Sequence, residues 1–389
     1  MMLPEVCRQV VKRLAPFVIA LSVSCSVGAQ SLSLAAKSAI LIEPFSGTTL
    51  YAKAEDEPFA PGSLAKVMTA AVVFDALQQG EIAGEDTCRV SEHAWRTGGA
   101  PARGATMFAE LKSEISIDDL LKGLLVHNAN DAAIVLAECL AGTEAGFAAR
   151  MTGFGQTIGM QNSVFRNPTG YEAAGAKTTA SDMARLGAYI VTEQGNRYPV
   201  FSQPEFTWNR IFQRNKNPLL GEIRGLDGLG AGQSETDGFA GLASLERNGR
   251  RVVGVVSGLP SDKARLKAMR DLVDGAWDFF TVQRIFDKGE PVAAAAVFGG
   301  TSGKVPLVAK QDVDVLLPRG GTLDYRLRVV YDGPLNAPVA AGQPAGELRV
   351  IGEDGVVYST ELETGDDIPT GPLHARAADG LVELLFGWF

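Results

Sequence analysis

Ala39-Ile40-Leu41-Ile42 and Thr49-Leu50-Tyr51-Ala52 flank a Pro44-Phe45-Ser46-Gly47 turn, and this pattern predicts a hairpin of two short strands. Past Pro61-Gly62 the chain from Val67 to Phe74 is apolar on nearly every side of a helical projection, the mark of a helix buried all round. Ser116-Ile117-Asp118-Asp119 predicts a capped helix start leading into Leu120, Leu121, Leu124 and Leu125. Asn130 is placed to cap the next helix, Asp131 to Leu140.

Further along, Gly238 to Leu245 and Val252 to Val256 flank Asn248-Gly249, the strongest short hairpin signal in the chain. Leu266, Met269, Val273, Trp277 and Phe280 recur at helical spacing, so a long amphipathic helix is expected to pack across those strands. Strands at both ends with helices between them predict an α+β domain ending near Phe286. After Asp287-Lys288-Gly289-Glu290-Pro291 the texture changes. Leu323, Tyr325, Leu327 and Val329 alternate with Asp324, Arg326 and Arg328, and Asp354-Gly355 separates two strand-like runs, so residues 293–370 read as a small all-β domain.

The first 29 residues change the picture of where the protein works. Arg8, Lys12 and Arg13 precede an apolar run from Leu14 to Val27, and Val27-Gly28-Ala29 offers a small-residue cleavage site, so 1–29 reads as a secretory signal. Ser22 stands where a lipoprotein signal before Cys25 wants an apolar residue, which argues against lipidation. Export permits a disulfide between the two remaining cysteines, Cys88 and Cys139, without requiring it; Cys139 in an apolar helix also reads as core. A net charge of −9 argues against a nucleic-acid partner. His93, His127 and His374 lack metal-ligand spacing, and the expectation is no metal and no cofactor.

Ser63-Leu64-Ala65-Lys66 is the chain's only Ser-x-x-Lys. Three residues apart on a helix, hydroxyl and amine share a face, and a Lys whose pKa is lowered by burial can take the Ser proton and make it a nucleophile. The apolar stretch that follows predicts such burial, an expensive place for a charge without a purpose.

The text from Pro58 to Thr69 resembles the D-alanyl-D-alanine carboxypeptidases, the low-molecular-mass penicillin-binding proteins of peptidase family S11. The resemblance takes in Val126 to Ala133, Phe165-Arg166-Asn167-Pro168-Thr169-Gly170, Thr179 to Ala184 and Asp227-Gly228-Leu229, and covers nearly all of the chain after the signal. It implies a penicillin-binding, β-lactamase-like transpeptidase domain over 30–286, an antiparallel sheet flanked by helices plus a helical subdomain. A C-terminal β domain over 293–370 follows, and then an amphipathic membrane-associating tail over 371–389. It also implies catalysis by Ser63 and Lys66 on peptidoglycan stem peptides, reactivity with β-lactam antibiotics, and a periplasmic site on the outer face of the cytoplasmic membrane.

Two motifs depart from the family pattern. Asn128-Ala129-Asn130 stands where the family has Ser-x-Asn, and an amide does not relay a proton as a hydroxyl does, though it still hydrogen-bonds. Gly230-Ala231-Gly232 stands where the family has Lys-Thr-Gly, so the cation and hydroxyl for the substrate's terminal carboxylate are missing. By resemblance Asn128 and Asn130 orient Lys66 and substrate, and the amides of Ser63 and Gln233 form the oxyanion hole. The backbone of Gly230, Ala231, Gly232 and Gln233 remains able to pair with an extended peptide. Arg210, Arg214 and Arg224 read as solvated surface, with one of them a candidate for the lost cation. In the tail, Phe386, Trp388 and Phe389 suit a membrane interface, whereas Asp379 and Glu383 are not the basic face that anionic lipid prefers. Three readings follow: a carboxypeptidase of weakened or redirected activity, a non-catalytic protein that binds peptidoglycan, and a β-lactamase, which leaves the β domain and tail without a role.

Overall fold

The computed structural model describes residues 34–45, 47–247, 250–318, 326–352 and 355–373. The signal, the Asn248-Gly249 turn, Leu323, Tyr325, His374 and the tail from 374 on lie outside the described residues. The first hairpin forms as the pattern predicts: β1 (Ser38–Ile42) pairs antiparallel with β2 (Thr49–Lys53). A 3₁₀ turn over Gly62–Leu64 then feeds α1 (Ala65–Gln78), whose residues are buried almost without exception, Lys66 and Thr69 included.

The helical part follows, with β3 (Thr87–Arg89), α2 (Glu92–Thr97), β4 (Glu114–Ser116), α3 (Ile117–Val126), α4 (Asn130–Ala141), α5 (Glu144–Thr157) and α6 (Ala180–Glu193). Ser116 caps α3 as its sequence signal predicts, accepting from the Asp119 amide at 3.2 Å. The expected cap at Asn130 is corrected: Ala129 holds the cap position without a side-chain bond, and Asn130 is already the first helical residue. Its amide is taken up by the Ala105 carbonyl at 2.8 Å, so the helix start is satisfied by a neighbouring loop rather than by its own side chain. Cys88 and Cys139 form a disulfide that ties β3 to α4.

A small hairpin, β5 (Glu205–Trp208) with β6 (Ile211–Arg214), precedes the main strands β7 (Leu226–Ser234), β8 (Gly238–Arg247) and β9 (Arg250–Leu259). These complete a five-stranded antiparallel sheet in the order β2-β1-β9-β8-β7, which leaves β7 as an edge. Along β9, Val253 points at α6 and Gly254 at α7 (Asp262–Phe279), so the two helices cover opposite faces. The apolar stripe of α7 includes Met269 and Val273 as the spacing predicts, with Leu272 added to it, but Arg265 rather than Leu266 is the buried residue in its first turns.

Directly after α7, β10 (Phe280–Phe286) pairs with β13 (Val313–Pro318). Strands β11 (Pro291–Phe298), β12 (Lys304–Ala309), β14 (Arg326–Val330), β15 (Leu335–Asn336), β16 (Pro344–Gly352) and β17 (Gly355–Thr364) make a second sheet, ordered β14-β16-β17-β12-β11-β15. Its core is separate and includes Val305, Leu307, Leu348 and Leu362.

Candidate active site

The apolar text of α1 puts Lys66 in a dry interior. Its side chain is 3 % exposed, and among the described residues no carboxylate pairs with it. Nζ donates to the Thr169 carbonyl at 2.9 Å, and burial pushes the amine down to about 7. A carbonyl accepts from an ammonium without supplying the full counter-charge that would hold the proton on. Ser63, half-buried in the turn ahead of the helix, lies one turn from this near-neutral amine. A weakly nucleophilic hydroxyl beside a buried base is the chemistry of an activated serine.

The 165–171 segment holds this pair from below. Asn167 Oδ1 accepts from the Gly170 amide at 2.7 Å and from Thr169 Oγ1 at 3.0 Å, which fixes the carbonyl that Lys66 uses. Gly170, at φ +80°, lies so close that a Cβ there would fall 1.8 Å from the Gly62 carbonyl oxygen. A side chain at 170 would therefore lift the nucleophile turn off its support.

The second motif sits at the α3–α4 junction. Asn128 is half-buried in the left-handed region, φ +57°, which asparagine tolerates better than most residues. Asn130 is 6 % exposed and contacts Tyr171, which links this motif to the segment under Ser63. Sequence reading gave Asp131 no role, yet its fully buried carboxylate accepts from Thr106 Oγ1 at 2.5 Å and from the amides of Met107 and Ala109 at 3.0 Å each. It fastens the 105–109 loop to the start of α4.

The third motif runs along the exposed edge of β7. Gly230, Ala231, Gly232 and Gln233 pair with Leu242, Gly241, Ala240 and Phe239 of β8, and the Gln233 backbone lies against Gly62 on the other side. That approach brings the Gln233 backbone beside the turn that carries Ser63. The strand packs closely on the nucleophile turn: a Cβ on Gly232, a glycine in the family motif too, would lie 2.9 Å from Leu64 Cγ and Pro61 O, and one on Gly230, where the family lysine is missing, would lie 3.1 Å from Val67 Cγ2. At the head of the strand Asp227 is gripped by Arg251 at 2.7 Å and 2.8 Å and by Tyr198 at 2.5 Å.

The three arginines considered as the missing cation are all exposed. Arg210 is exposed at the β5–β6 turn, Arg214 lies over the Phe212 ring, and Arg224 is exposed with its carbonyl bonded by Arg247. Arg265 is the cation next to the strand. It is 3 % exposed, donates to the Gly232 carbonyl at 3.3 Å, contacts Asp262, and leaves Nε without a partner. The signal that could have found it was an arginine four residues before Met269 on the apolar stripe of α7. Lys216 is a second cation: its amide donates to the Val126 carbonyl at 2.8 Å, which places it beside the second motif. His127, between them, bonds the Arg214 carbonyl at 3.2 Å and is pushed down mainly by burial.

Residues 25–261 match the D-alanyl-D-alanine carboxypeptidase family, and residues 280–370 match the C-terminal domain of penicillin-binding protein 5. The chain is 30% identical over 361 residues to D-alanyl-D-alanine carboxypeptidase DacA of Haemophilus influenzae, covering 92% of this chain and 91% of that one. It is 31% identical over 344 residues to DacD of Salmonella typhimurium, covering 87% and 88%. Among solved structures, penicillin-binding protein 5 from Haemophilus influenzae superposes with a TM-score of 0.73 at 30% identity, covering 87% of this chain and 98% of that one. Penicillin-binding protein D2 from Listeria monocytogenes in its cefotaxime-bound form gives 0.53 at 27%, covering 62% and 97%.

Proposed function

The chain belongs to the D-alanyl-D-alanine carboxypeptidase family, and on that footing we propose that it removes the terminal D-Ala from peptidoglycan pentapeptide stems through an acyl-enzyme on Ser63. The observation that carries this reading is the buried Lys66, paired with no carboxylate among the described residues and lowered to about 7, one turn from Ser63. Ser63 Oγ attacks the penultimate D-Ala carbonyl as Lys66 Nζ takes its proton. The amides of Ser63 and Gln233 receive the developing oxyanion, and the proton passes to the leaving amine of the terminal D-Ala. Water then cleaves the ester and regenerates the hydroxyl.

Substrate lies as an added strand along β7, held through backbone at 230–233. Asn128 and Asn130 orient it from the opposite wall, and Arg265 and Lys216 supply positive charge that Gly230 lacks. A β-lactam, which the Listeria relative holds in its solved structure, acylates Ser63 in the same way. The secretory-signal pattern at 1–29 and the aromatic composition of the tail support a periplasmic enzyme, peripheral on the outer face of the cytoplasmic membrane, where stem trimming bears on cell shape. Intact-protein mass spectrometry after benzylpenicillin, beside D-Ala release from diacetyl-Lys-D-Ala-D-Ala, tests the proposal. An adduct on Ser63 together with release supports it, and neither signal from folded protein overturns it.

One observation favours a second reading, a binding protein that keeps the groove without turnover: Gly230 is packed on Val67 so closely that the family lysine does not simply fit back. On that reading Asn128→Ser, Gly230→Lys and Ala231→Thr together, with Val67→Ala to make room, create activity that the parent lacks. An active parent sinks it.

A further inference from the structure

Apart from the cleft at Ser63, the domain carries a cavity of about 500 Å³, within the size range of small-molecule sites. Three elements line it, and it opens broadly to the surface. Phe74 comes from α1, Asp118, Leu121 and Lys122 from α3, and Arg197 and Val200 from the segment before β5. Phe74 is eleven residues along the helix from Ser63, about 16 Å at the α-helical rise, and none of the residues of the three motifs lines the cavity.

Its charges are arranged unusually. Lys122 is committed to Asp119 at 2.9 Å. Arg197 Nη1, by contrast, stands 3.8 Å from Asp118 Oδ1, beyond hydrogen-bond reach, and its guanidinium donates to no other described residue. Arg197 and Asp118 thus face each other at the rim as a loose, half-exposed ion pair with no hydrogen bond between them, above the deeply buried Phe74 and Leu121. The complement of this arrangement carries an anion and a cation on neighbouring atoms with an apolar group attached.

We propose that this cavity binds a free α-amino acid with an apolar side chain. The ligand's carboxylate lies on the Arg197 fork, its ammonium on Asp118, and its side chain against Pro199 and Val200. If the carboxypeptidase reading holds, the enzyme's own released D-alanine belongs to this ligand class.

The test is calorimetric titration of D-leucine into the full chain, into Arg197→Gln and into Asp118→Asn. N-acetyl-D-leucine and D-leucinamide, each lacking one charge, probe the same contacts without altering the protein. The expected result is saturable one-site binding, weakened about tenfold or more by either substitution or either cap, the scale of one charge-assisted contact, and unaffected by excess benzylpenicillin. Absence of binding, indifference to both the substitutions and the caps, or displacement by benzylpenicillin overturns the proposal. The carboxypeptidase reading is judged separately by the Ser63 adduct and D-Ala release, so the two failures are distinguishable.

Discussion

If Lys66 is the base that activates Ser63, its burial writes a titration into both reactivity and stability. The amine falls from 10.5 to about 7 because the interior disfavours its charged form. A group whose folded pKa lies below its unfolded one binds fewer protons in the native state between those two values. Stability therefore rises with pH from about 7 towards the unfolded value and is lowest below about 7, where the lysine must be buried charged. The full shift corresponds to about 5 kcal/mol as an upper figure. Replacing the amine with a neutral chain of similar shape, Lys66→Met, removes that penalty, so the variant gains most on the parent at about pH 6 and least in mild alkali.

Reactivity must follow the same titration in the opposite protein. In the parent, acylation by benzylpenicillin scales with the neutral fraction of Lys66, about one tenth at pH 6, half at pH 7 and nine tenths at pH 8. Stopped-flow acylation with a fluorescent penicillin and urea unfolding across the same pH range measure the two limbs. A flat acylation profile across neutrality, or a stability difference between parent and Lys66→Met that does not shrink as pH rises, refutes the reasoning.

Four further outcomes are expected. Cys88→Ala with Cys139→Ala removes a bond that closes 51 residues of chain, and urea unfolding reads a loss of about 4 kcal/mol on the chain-entropy estimate. Asp131→Ala strands the Thr106 hydroxyl and the Met107 and Ala109 amides; a loss of about 3 kcal/mol or more, measured by thermal unfolding, accompanies slower acylation through the loosened Asn130. Gly232→Ala drives a methyl into Leu64 and Pro61, costing about 1–3 kcal/mol by overpacking and cutting acylation far more than stability, which a paired rate and unfolding measurement separates. Asn167→Ala frees the Thr169 carbonyl from its loop, and its expected signature is a shifted acylation pH midpoint with little change in unfolding.

What the sequence made legible was whatever depends on short-range pattern. The Ser116 cap, the all-round apolar α1 and the β8–β9 pair are local facts, and the fold uses them as written, while Ser63 falls in the 3₁₀ turn ahead of the helix that carries Lys66. What it hid depends on groups without a side-chain signature or on which of two neighbours turns inward. The acceptor for Lys66 is a backbone carbonyl, at Thr169. The cap of α4 moved one residue because the Ala105 carbonyl takes the Asn130 amide. Arg265 displaced Leu266 from the buried stripe because carbonyls along β7 and β8 and the Phe239 ring lie within reach of a guanidinium. The cysteine pair was permitted by export but decided only by the approach of β3 to α4.

Helix α7 runs for 18 residues, a rod of about 27 Å. Arg265, near its start, bears on the Gly232 carbonyl from behind, and its last residue, Phe279, passes into β10 of the β domain with no loop between them. A rod with no hinge at one end and a side chain on β7 at the other is a lever: a load on β10 would reach the Gly232 carbonyl along this helix, without a loop at the crossing into β10 to absorb it.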